Sequence, residues 1–283
     1  MSRAWISSAA IWRTLIVLAL LAIWQFGYSV AHIELLDPYF LSRPTDIWEQ
    51  FLQLACLKSR IGDWNLSTKA FGACFERYEN NLWVATAVTL KNTFFGFLTG
   101  VISGYLLGLL LGRSARLSEI FEPLIVAVNS IPRVALAPII ILAFGIGDVS
   151  KVVTSWIVVV FLVFFNVFEG ARSVDRGYIS AARLLGATPW QITRTVIIPS
   201  TIAWLFASLT PAISFALIGV IVGEFIGAER GIGRLIIESE ARAEAAGMMV
   251  AVLVLMLVGV VLASITKRLQ NHLLRWQEHR VSA

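Results

Sequence analysis

The sequence predicts an all-α protein, a polytopic membrane helix bundle with about six transmembrane helices. The chain is 58% hydrophobic and 14% charged, with a mean hydropathy of +0.78. Soluble globular proteins average about 45–50% apolar and about 25% charged residues. The apolar residues also form long runs that short charged stretches separate, which is typical of transmembrane helices and not of a large soluble core.

Six runs are long enough to cross the hydrocarbon core, which takes about 20 helical residues. In chain order they are Thr14–Val30, Phe94–Leu111, Leu124–Ile146, Val152–Phe168, Ser200–Val222 and Met248–Ile265. The first run is longer than the core of a secretory signal, and no small-residue cleavage site follows it. We therefore expect residues 1–31 to form a tail and a first transmembrane helix that is retained.

The short loops indicate the orientation. If the N-terminus lies in the cytoplasm, the four inner segments carry more Lys and Arg than Asp and Glu, and this bias is what sets membrane topology. The sequence therefore predicts cytoplasmic N- and C-termini. The net charge of +5 is accounted for in this way and does not indicate a nucleic-acid partner.

Residues 32–83 form a predicted external loop. Within it, Asp46–Leu57 is compatible with a short amphipathic helix that lies on the membrane surface or packs on the bundle. Its predicted apolar face consists of Trp48, Phe51, Leu52 and Ala55.

The two cysteines, Cys56 and Cys74, both fall in this external loop. An oxidising compartment would permit a disulfide between them, and two unpaired thiols are the alternative. Two cysteines alone are too few for the usual zinc site.

The second run carries a series of glycines at a spacing of four, which places them on one stripe of a helix. The series consists of Gly96, Gly100, Gly104, Gly108 and Gly112. Small residues let helices approach closely in lipid, so the favoured interpretation is helix packing within the molecule. A pore-lining or sliding face is the alternative.

The third run is interrupted by Pro132 and Pro138 and contains the polar residues Asn129 and Arg133. Non-helical backbone at membrane depth persists only where protein or a water-filled cavity shields it, and an ionisable residue there indicates function. These four residues are the candidates for a pathway or gate. An arginine that extends its head group to the interface is the alternative.

The loop 169–199 is predicted to form two short helices. Tyr178–Leu185 is rich in good helix formers, and Gly186 suits the left-handed position after a helix end. Thr188, Pro189 and Gln191 then suit the N-cap, the first helical position and a capping box, and Pro199 precedes the fifth run. Such a loop either docks on a partner or is a simple connector.

This loop, SAARLLGATPWQITRTVIIPS, resembles the EAA loop of ABC importer permeases. Ala181, Ala182, Gly186 and Pro199 match the pattern, and Ser180 stands where the family has glutamate. IPRVALAPIIILAFGIGDVSKV, GEFIGAERGIGRLI and PYFLSRPTDIWEQF are also similar to segments of permeases for sulfonates, taurine and nitrate. The resemblance runs from about Leu35 to the C-terminus.

The resemblance implies a transmembrane permease core over residues 84–270, with a cytoplasmic tail at 271–283, in the bacterial inner membrane. A second copy would complete the pathway, an external solute-binding protein would deliver the solute, and two ATP-binding subunits would dock on the coupling helix. The contact residues implied are Ser180, Ala181, Ala182, Arg183, Gly186, Pro189 and Pro199. A small polar or anionic solute is the family expectation, with a pyrimidine precursor as a further possibility.

We predict no catalytic residue, no metal site and no cofactor in this chain, with ATP and magnesium bound by the partner subunits. The sequence contains no G-x-x-x-x-G-K-[ST] phosphate loop. Glu224 and Glu229 are interpreted as an external helix start or rim. The alternatives are a secondary transporter or channel that works alone, which internal repeats would favour, and a membrane-embedded enzyme, which would need an acidic or histidine cluster within the spans.

Overall fold

A computed structural model of the chain describes residues 2–31, 37–57, 72 and 81–274. Its helices confirm the predicted all-α class. They are α1 (Ser2–Ala31), α2 (Pro44–Leu54), α3 (Leu82–Gly112), α4 (Ala115–Asn129), α5 (Ala137–Phe144), α6 (Asp148–Arg172), α7 (Arg176–Leu184), α8 (Pro189–Ile192), α9 (Ile198–Gly227), α10 (Ile232–Ala241) and α11 (Ala245–Leu273).

Five helical stretches in the described part of the chain are long and apolar enough to cross a membrane, or six if α4 and α5 form one bent span. The five are Ile11–Ser29, Leu82–Gly112, Asp148–Arg172, Pro189–Gly227 and Ala245–Leu273. The prediction of about six spans is confirmed. Most helices extend beyond the apolar runs.

The predicted interruption of the third run is also confirmed. The stretches 116–128 and 133–144 meet at an angle of 75°, with a short 3₁₀ turn at Arg133–Leu136. Pro132 has an extended backbone at this break, and Pro138 lies in the first turn of α5. A proline there removes no intrahelical hydrogen bond, since the first N–H groups of a helix have no partner in any case.

The chain divides into two compact units, of which the first consists of Met1–Ala85 and Ile232–Leu255. Its core contains Ile47, Leu82, Ile232 and Val250. The predicted short helix is present as α2 and packs into this core through Ile47 and Phe51, and its Leu52 is buried as well. Trp48, predicted on the same apolar face as Phe51, stacks on Phe51 at 5.6 Å between ring centres, but its own side chain is exposed.

Cys56 lies just after α2 in this first unit. Its side chain is buried and it is not a free thiol. Its predicted partner, Cys74, lies outside the described residues, so the pairing itself stays a prediction.

The second unit consists of Thr86–Gly231 and Met256–Ala283. Helix α6 is the central element of this unit, and one of its faces packs along α9. The core between them contains Val159, Val163 and Val167 from α6 with Ala212 and Ala216 from α9. Small residues on α9 bring the two helices close together, which maximises dispersion contacts in an environment without a strong hydrophobic driving force.

Large apolar side chains cover much of the outer surface of the second unit. Examples on α3, α9 and α11 are Leu106, Leu110, Phe215, Ile218, Met256 and Val260, all exposed. Exposed apolar patches of this extent are rare on soluble monomers. They fit helices whose solvent is the hydrocarbon of a bilayer.

Candidate functional site: the coupling loop and the spans that carry it

The glycine stripe of α3 faces α6. A Cβ atom built on Gly100 would lie 2.6 Å from the Val159 Cβ, and one on Gly108 would lie 2.8 Å from the Phe164 carbonyl oxygen. Gly96, Gly104 and Gly112 meet Ser155, Val160 and Ala171 in the same way. The structure therefore places all five glycines at a helix–helix contact within the molecule, where backbone approaches backbone.

Ser155 joins this contact to α9. Its side chain is the nearest neighbour of Gly96, and its Cα would lie 2.7 Å from a Cβ on Gly219. The Ser155 hydroxyl also donates to the Ala216 carbonyl at 3.0 Å. Helices α3, α6 and α9 are thus held together at one buried residue.

The first short helix of the coupling loop, residues 169–199, is α7. Asp175 caps its N-terminus, with its carboxylate accepting from the Gly177 N–H at 2.7 Å. Gly186 follows its C-terminus with φ +82°. The N–H groups of Gly186 and Ala187 donate back to the carbonyls of Arg183 and Ala182 at 2.9 and 3.0 Å. This is the Schellman arrangement, and the predicted left-handed glycine is confirmed.

The predicted capping box is also present. The Gln191 N–H donates to the Thr188 hydroxyl at 3.3 Å, and the Thr188 N–H donates to the Gln191 side-chain oxygen at 2.7 Å. Pro189 occupies the first turn of this helix, as predicted. Both ends of the turn between α7 and α8 are therefore fixed by local hydrogen bonds.

The second predicted short helix begins where expected, as α8, but no break separates it from the fifth span. Helix α8 continues through a π-helical turn at Thr193–Ile197 into α9, so that Pro189–Gly227 is one helical stretch of 39 residues. Pro199 has no N–H to donate within the helix, and the π-turn lies directly before it. The end of the coupling loop and the fifth span therefore form one unbroken helical stretch.

Two exposed leucines stand at the C-terminal end of α7. Leu184 and Leu185 expose 89% and 88% of their surface. Ser180 and Ala181 are exposed as well, Ala182 is half-buried, and Arg183, Gly186, Pro189 and Pro199 are exposed. The sequence prediction named the backbone pattern of the loop but not this leucine pair.

Of the pathway candidates, Arg133 lies over the ring of Phe161 on α6, with 5.3 Å from its guanidinium carbon to the ring centre. Such a cation–π contact stabilises a partly desolvated arginine. Pro132 and Pro138 are exposed, and the side chain of Asn129 lies outside the described residues. A role for these four residues in a pathway or gate stays a prediction.

The structure buries a carboxylate that the sequence prediction placed at a rim. Glu224 lies inside α9, not at a helix start, and exposes 1% of its surface. The Thr89 hydroxyl donates to its two oxygens at 2.8 and 3.1 Å. A side chain at Gly231 would collide with the same carboxylate. Glu229 is exposed, in agreement with a rim position.

A second polar cluster lies at the same end of these helices. Asp148 accepts from Lys91 and, at 3.1 Å, from the Asn92 side-chain amide. The ammonium group of Lys151 lies 3.5 Å from Asp148 and donates to the Arg230 carbonyl at 3.0 Å. Among the described residues, no group of three or more His, Cys, Asp or Glu side chains could hold a metal ion. These contacts join the start of α6 to α3 and to the segment that follows α9.

Residues 96–278 match the model of a family described as the binding-protein-dependent transport system inner membrane component. The chain belongs to this family. The match begins within α3 and covers the bent span, α6, the coupling loop and the last two spans. The chain is therefore the membrane component of an ABC import system and a multi-pass membrane protein.

Curated relatives agree with this assignment. A probable ABC transporter permease protein of Haemophilus influenzae is 33% identical over 64% of this permease and 74% of its own length. The formylaminopyrimidine transport permease protein of Halalkalibacterium halodurans is 28% identical over 96% of this permease and 98% of its own length. The taurine transport system permease protein of Escherichia coli is 25% identical over 77% of this permease and 72% of its own length.

Solved structures share the fold. A chain of an amino acid ABC transporter is 21% identical with a TM-score of 0.55, and covers 66% of this permease and 92% of that chain. A chain of the MetNI methionine ABC transporter, in an inward-facing conformation, is 22% identical with a TM-score of 0.54, over 67% and 93%. In both cases about two thirds of this permease accounts for nearly the whole chain of known structure.

Proposed function

We propose that two copies of this permease form the translocation pathway for a small polar or anionic solute in the bacterial inner membrane. Two separate ATP-binding subunits dock on the coupling loops, and an external binding protein delivers the solute. The coupling loop and both termini face the cytoplasm. ATP and magnesium are bound by the partner subunits, and this chain supplies neither nucleotide site nor catalytic residue.

The observation that carries this proposal is the leucine pair on α7. Leu184 and Leu185 are almost fully exposed on a helix whose two ends are fixed by a cap and a Schellman turn. Two large apolar side chains in solvent are unfavourable by about 1.5–3 kcal/mol each relative to burial. A partner surface that covers them regains this free energy, and the rigid helix loses little conformational entropy on docking.

Continuity with the fifth span supports the same proposal. A force on α7 reaches α9 through the short turn at Gly186–Thr188, where the capping box fixes the geometry. From there the helix runs without interruption to Gly227. A closing movement of docked ATPases therefore displaces a membrane span directly.

The solute class is supported by the relatives and not by a binding site. Relatives are named for aliphatic sulfonates, taurine and nitrate, which are small and anionic or zwitterionic. The permease that aligns over nearly the whole chain is named for formylaminopyrimidine. This full-length alignment favours a small neutral heterocycle as the second candidate. Uptake assays with the two solute classes, in the presence of the cognate binding protein, distinguish them.

Replacing Leu184 and Leu185 by aspartate tests the docking proposal. We expect Leu184→Asp/Leu185→Asp to abolish co-purification of the ATPase subunits and ATP-driven uptake in reconstituted vesicles. The thermal stability of the isolated permease should not change, since both side chains are solvent-exposed. The comparison variant is Leu106→Asp/Leu110→Asp, which places the same two charges on the exposed apolar face of the membrane-spanning α3. This variant should impair membrane insertion.

Retained co-purification and uptake in the α7 variant would contradict the proposed docking surface. Uptake by vesicles that contain this chain alone, driven by an ion gradient without ATP, would instead establish a transporter that works by itself.

A further inference from the structure

A cavity with a basic rim lies beside the coupling loop, and neither Leu184 nor Leu185 is among its lining residues. Its volume is about 810 Å³, within the range of about 300–1,000 Å³ that is usual for small-ligand sites. Three arginines line it, Arg113, Arg116 and Arg183, and no Asp or Glu is among its lining residues. The cavity therefore concentrates positive charge.

The three arginines come from separate elements. Arg113 follows the last residue of α3, Arg116 lies in the first turn of α4, and Arg183 lies in the last turn of α7. Within the part of the chain that the structure describes, ion pairs to neighbouring carboxylates are made by other arginines, such as Arg172 with Glu122 at 3.2 Å. The cavity arginines are directed at a space that contains no anionic side chain.

The remaining wall of the cavity is apolar and aromatic. Ile179, Ile192 and Ile197 contribute aliphatic surface, and the exposed Trp190 lies beside them. A free inorganic anion gains nothing from such a wall. A molecule with a phosphate at one end and hydrocarbon at the other matches both parts of the cavity.

The cavity also lies at the right depth for a lipid headgroup. Arg113 directly follows the apolar end of α3, and Ile197 lies where the helical stretch Pro189–Gly227 becomes apolar. Tryptophan is enriched at this interfacial level. The N-terminus of α4, capped by Ser114, adds a partial positive charge between Arg113 and Arg116.

We propose that this cavity binds the phosphate headgroup of an anionic phospholipid from the leaflet that faces the coupling loop. Guanidinium groups bind phosphate through paired N–H donors, and basic pockets between transmembrane helices bind anionic headgroups. The inference rests on the proposed function only for the identity of the leaflet. The bound lipid holds α3, α4 and α7 in one arrangement, because its headgroup contacts all three.

Native mass spectrometry of the full-length permease in detergent tests the proposal. Phosphatidylglycerol, phosphatidylcholine and inorganic phosphate are added in separate titrations. The cavity variant is Arg113→Gln/Arg116→Gln/Arg183→Gln. The matched control is Arg176→Gln/Arg194→Gln/Arg268→Gln, which removes the same charge from exposed positions outside the cavity.

We expect the wild type and the control variant to retain phosphatidylglycerol equally well. The cavity variant should bind it about 100-fold more weakly, given about 1 kcal/mol for each basic residue near an anionic lipid surface. Phosphatidylcholine binding should be equal in all three proteins. If the triple variant does not fold, Arg116→Gln alone should show about 5-fold weaker binding.

Equal retention of phosphatidylglycerol by the cavity variant and the control would overturn the proposal. Displacement of the lipid by inorganic phosphate at equal concentration would also overturn it, because it would show a site for free anions. Loss of ATPase co-purification in the cavity variant, with lipid retention unchanged, would assign the cavity to an acidic protein surface. The lipid-retention measurements use the permease without partner subunits, so their results do not depend on the docking of ATPases at Leu184 and Leu185.

Discussion

At Gly100, the absence of a side chain determines how closely two helices approach. A Cβ atom there would lie 2.6 Å from the Cβ of Val159 and 3.3 Å from the Val160 backbone nitrogen. Distances below about 3 Å between carbon atoms are strongly repulsive, since the optimum is about 3.5–4.0 Å. The contact between α3 and α6 therefore requires glycine at this position.

Replacing Gly100 by alanine should lower the free energy of unfolding by about 1–3 kcal/mol, because the added methyl group overpacks the contact. Gly259→Ala is the control: its nearest neighbour would be the Leu217 Cδ2 at 3.6 Å, an ordinary contact. Thermal unfolding of both variants in detergent measures the difference. Equal melting temperatures would show that α3 and α6 are not packed as described.

The burial of Glu224 could not be predicted from the sequence. The apolar run before it ends near Val222, so a carboxylate at this point suggests a surface. The partner that stabilises it, Thr89, is 135 positions away in the chain. Burial of a carboxylate depends on such distant donors, and neither local composition nor spacing reveals them. The glycine stripe could be predicted, by contrast, because its period lies within one helix.

At the level of elements, the coupling loop could be predicted in detail where its geometry is local. The Schellman glycine, the Thr188 cap and the Gln191 capping box all depend on residues within six positions of each other. The end of the second short helix could not be predicted in this way. Pro199 suggests a break, whereas the structure has a π-turn at Thr193–Ile197 and the helix continues into α9.

Substitutions at Gly186 should rank by their tolerance of a positive φ. The backbone at this position has φ +82°, which costs a residue with a Cβ about 1–2 kcal/mol. Asparagine tolerates this region best and a β-branched residue worst. We therefore expect ATP-driven uptake to fall in the order Gly186→Asn, Gly186→Ala, Gly186→Val, with unchanged amounts of protein in the membrane.

The three variants contain their own control, because the expected order of uptake differs from the order of their side-chain volumes, in which alanine is smaller than asparagine. A decline that followed side-chain volume, with asparagine worse than alanine, would indicate a steric contact at Gly186 and contradict a conformational role.

For the whole molecule, the length of one helical stretch places its two ends on opposite sides of the membrane. Pro189–Gly227 contains 39 residues, which span about 58 Å at 1.5 Å per residue. The hydrocarbon core is only about 30 Å thick. Leu185 and Glu229, which flank this stretch, must therefore lie on opposite sides of the membrane.

Labelling with a membrane-impermeant maleimide tests the predicted orientation. In a background with Cys56→Ser and Cys74→Ser, we expect Glu229→Cys to be labelled in intact spheroplasts and Leu185→Cys only in inside-out vesicles. The reverse pattern would place the coupling loop outside and exclude docking of cytoplasmic ATPases. Labelling of both positions from one side would contradict a transmembrane Pro189–Gly227.

The close fit at Ser155 restricts where a solute can travel. Gly96, Ser155 and Gly219 leave no gap where α3, α6 and α9 meet. The Ser155 hydroxyl also joins α6 to α9 by a hydrogen bond to the Ala216 carbonyl. A hydrated anion needs an opening several ångströms wide, and widening this seam would expose backbone carbonyls to hydrocarbon. A solute path must consequently avoid this seam and follow another face of these three helices.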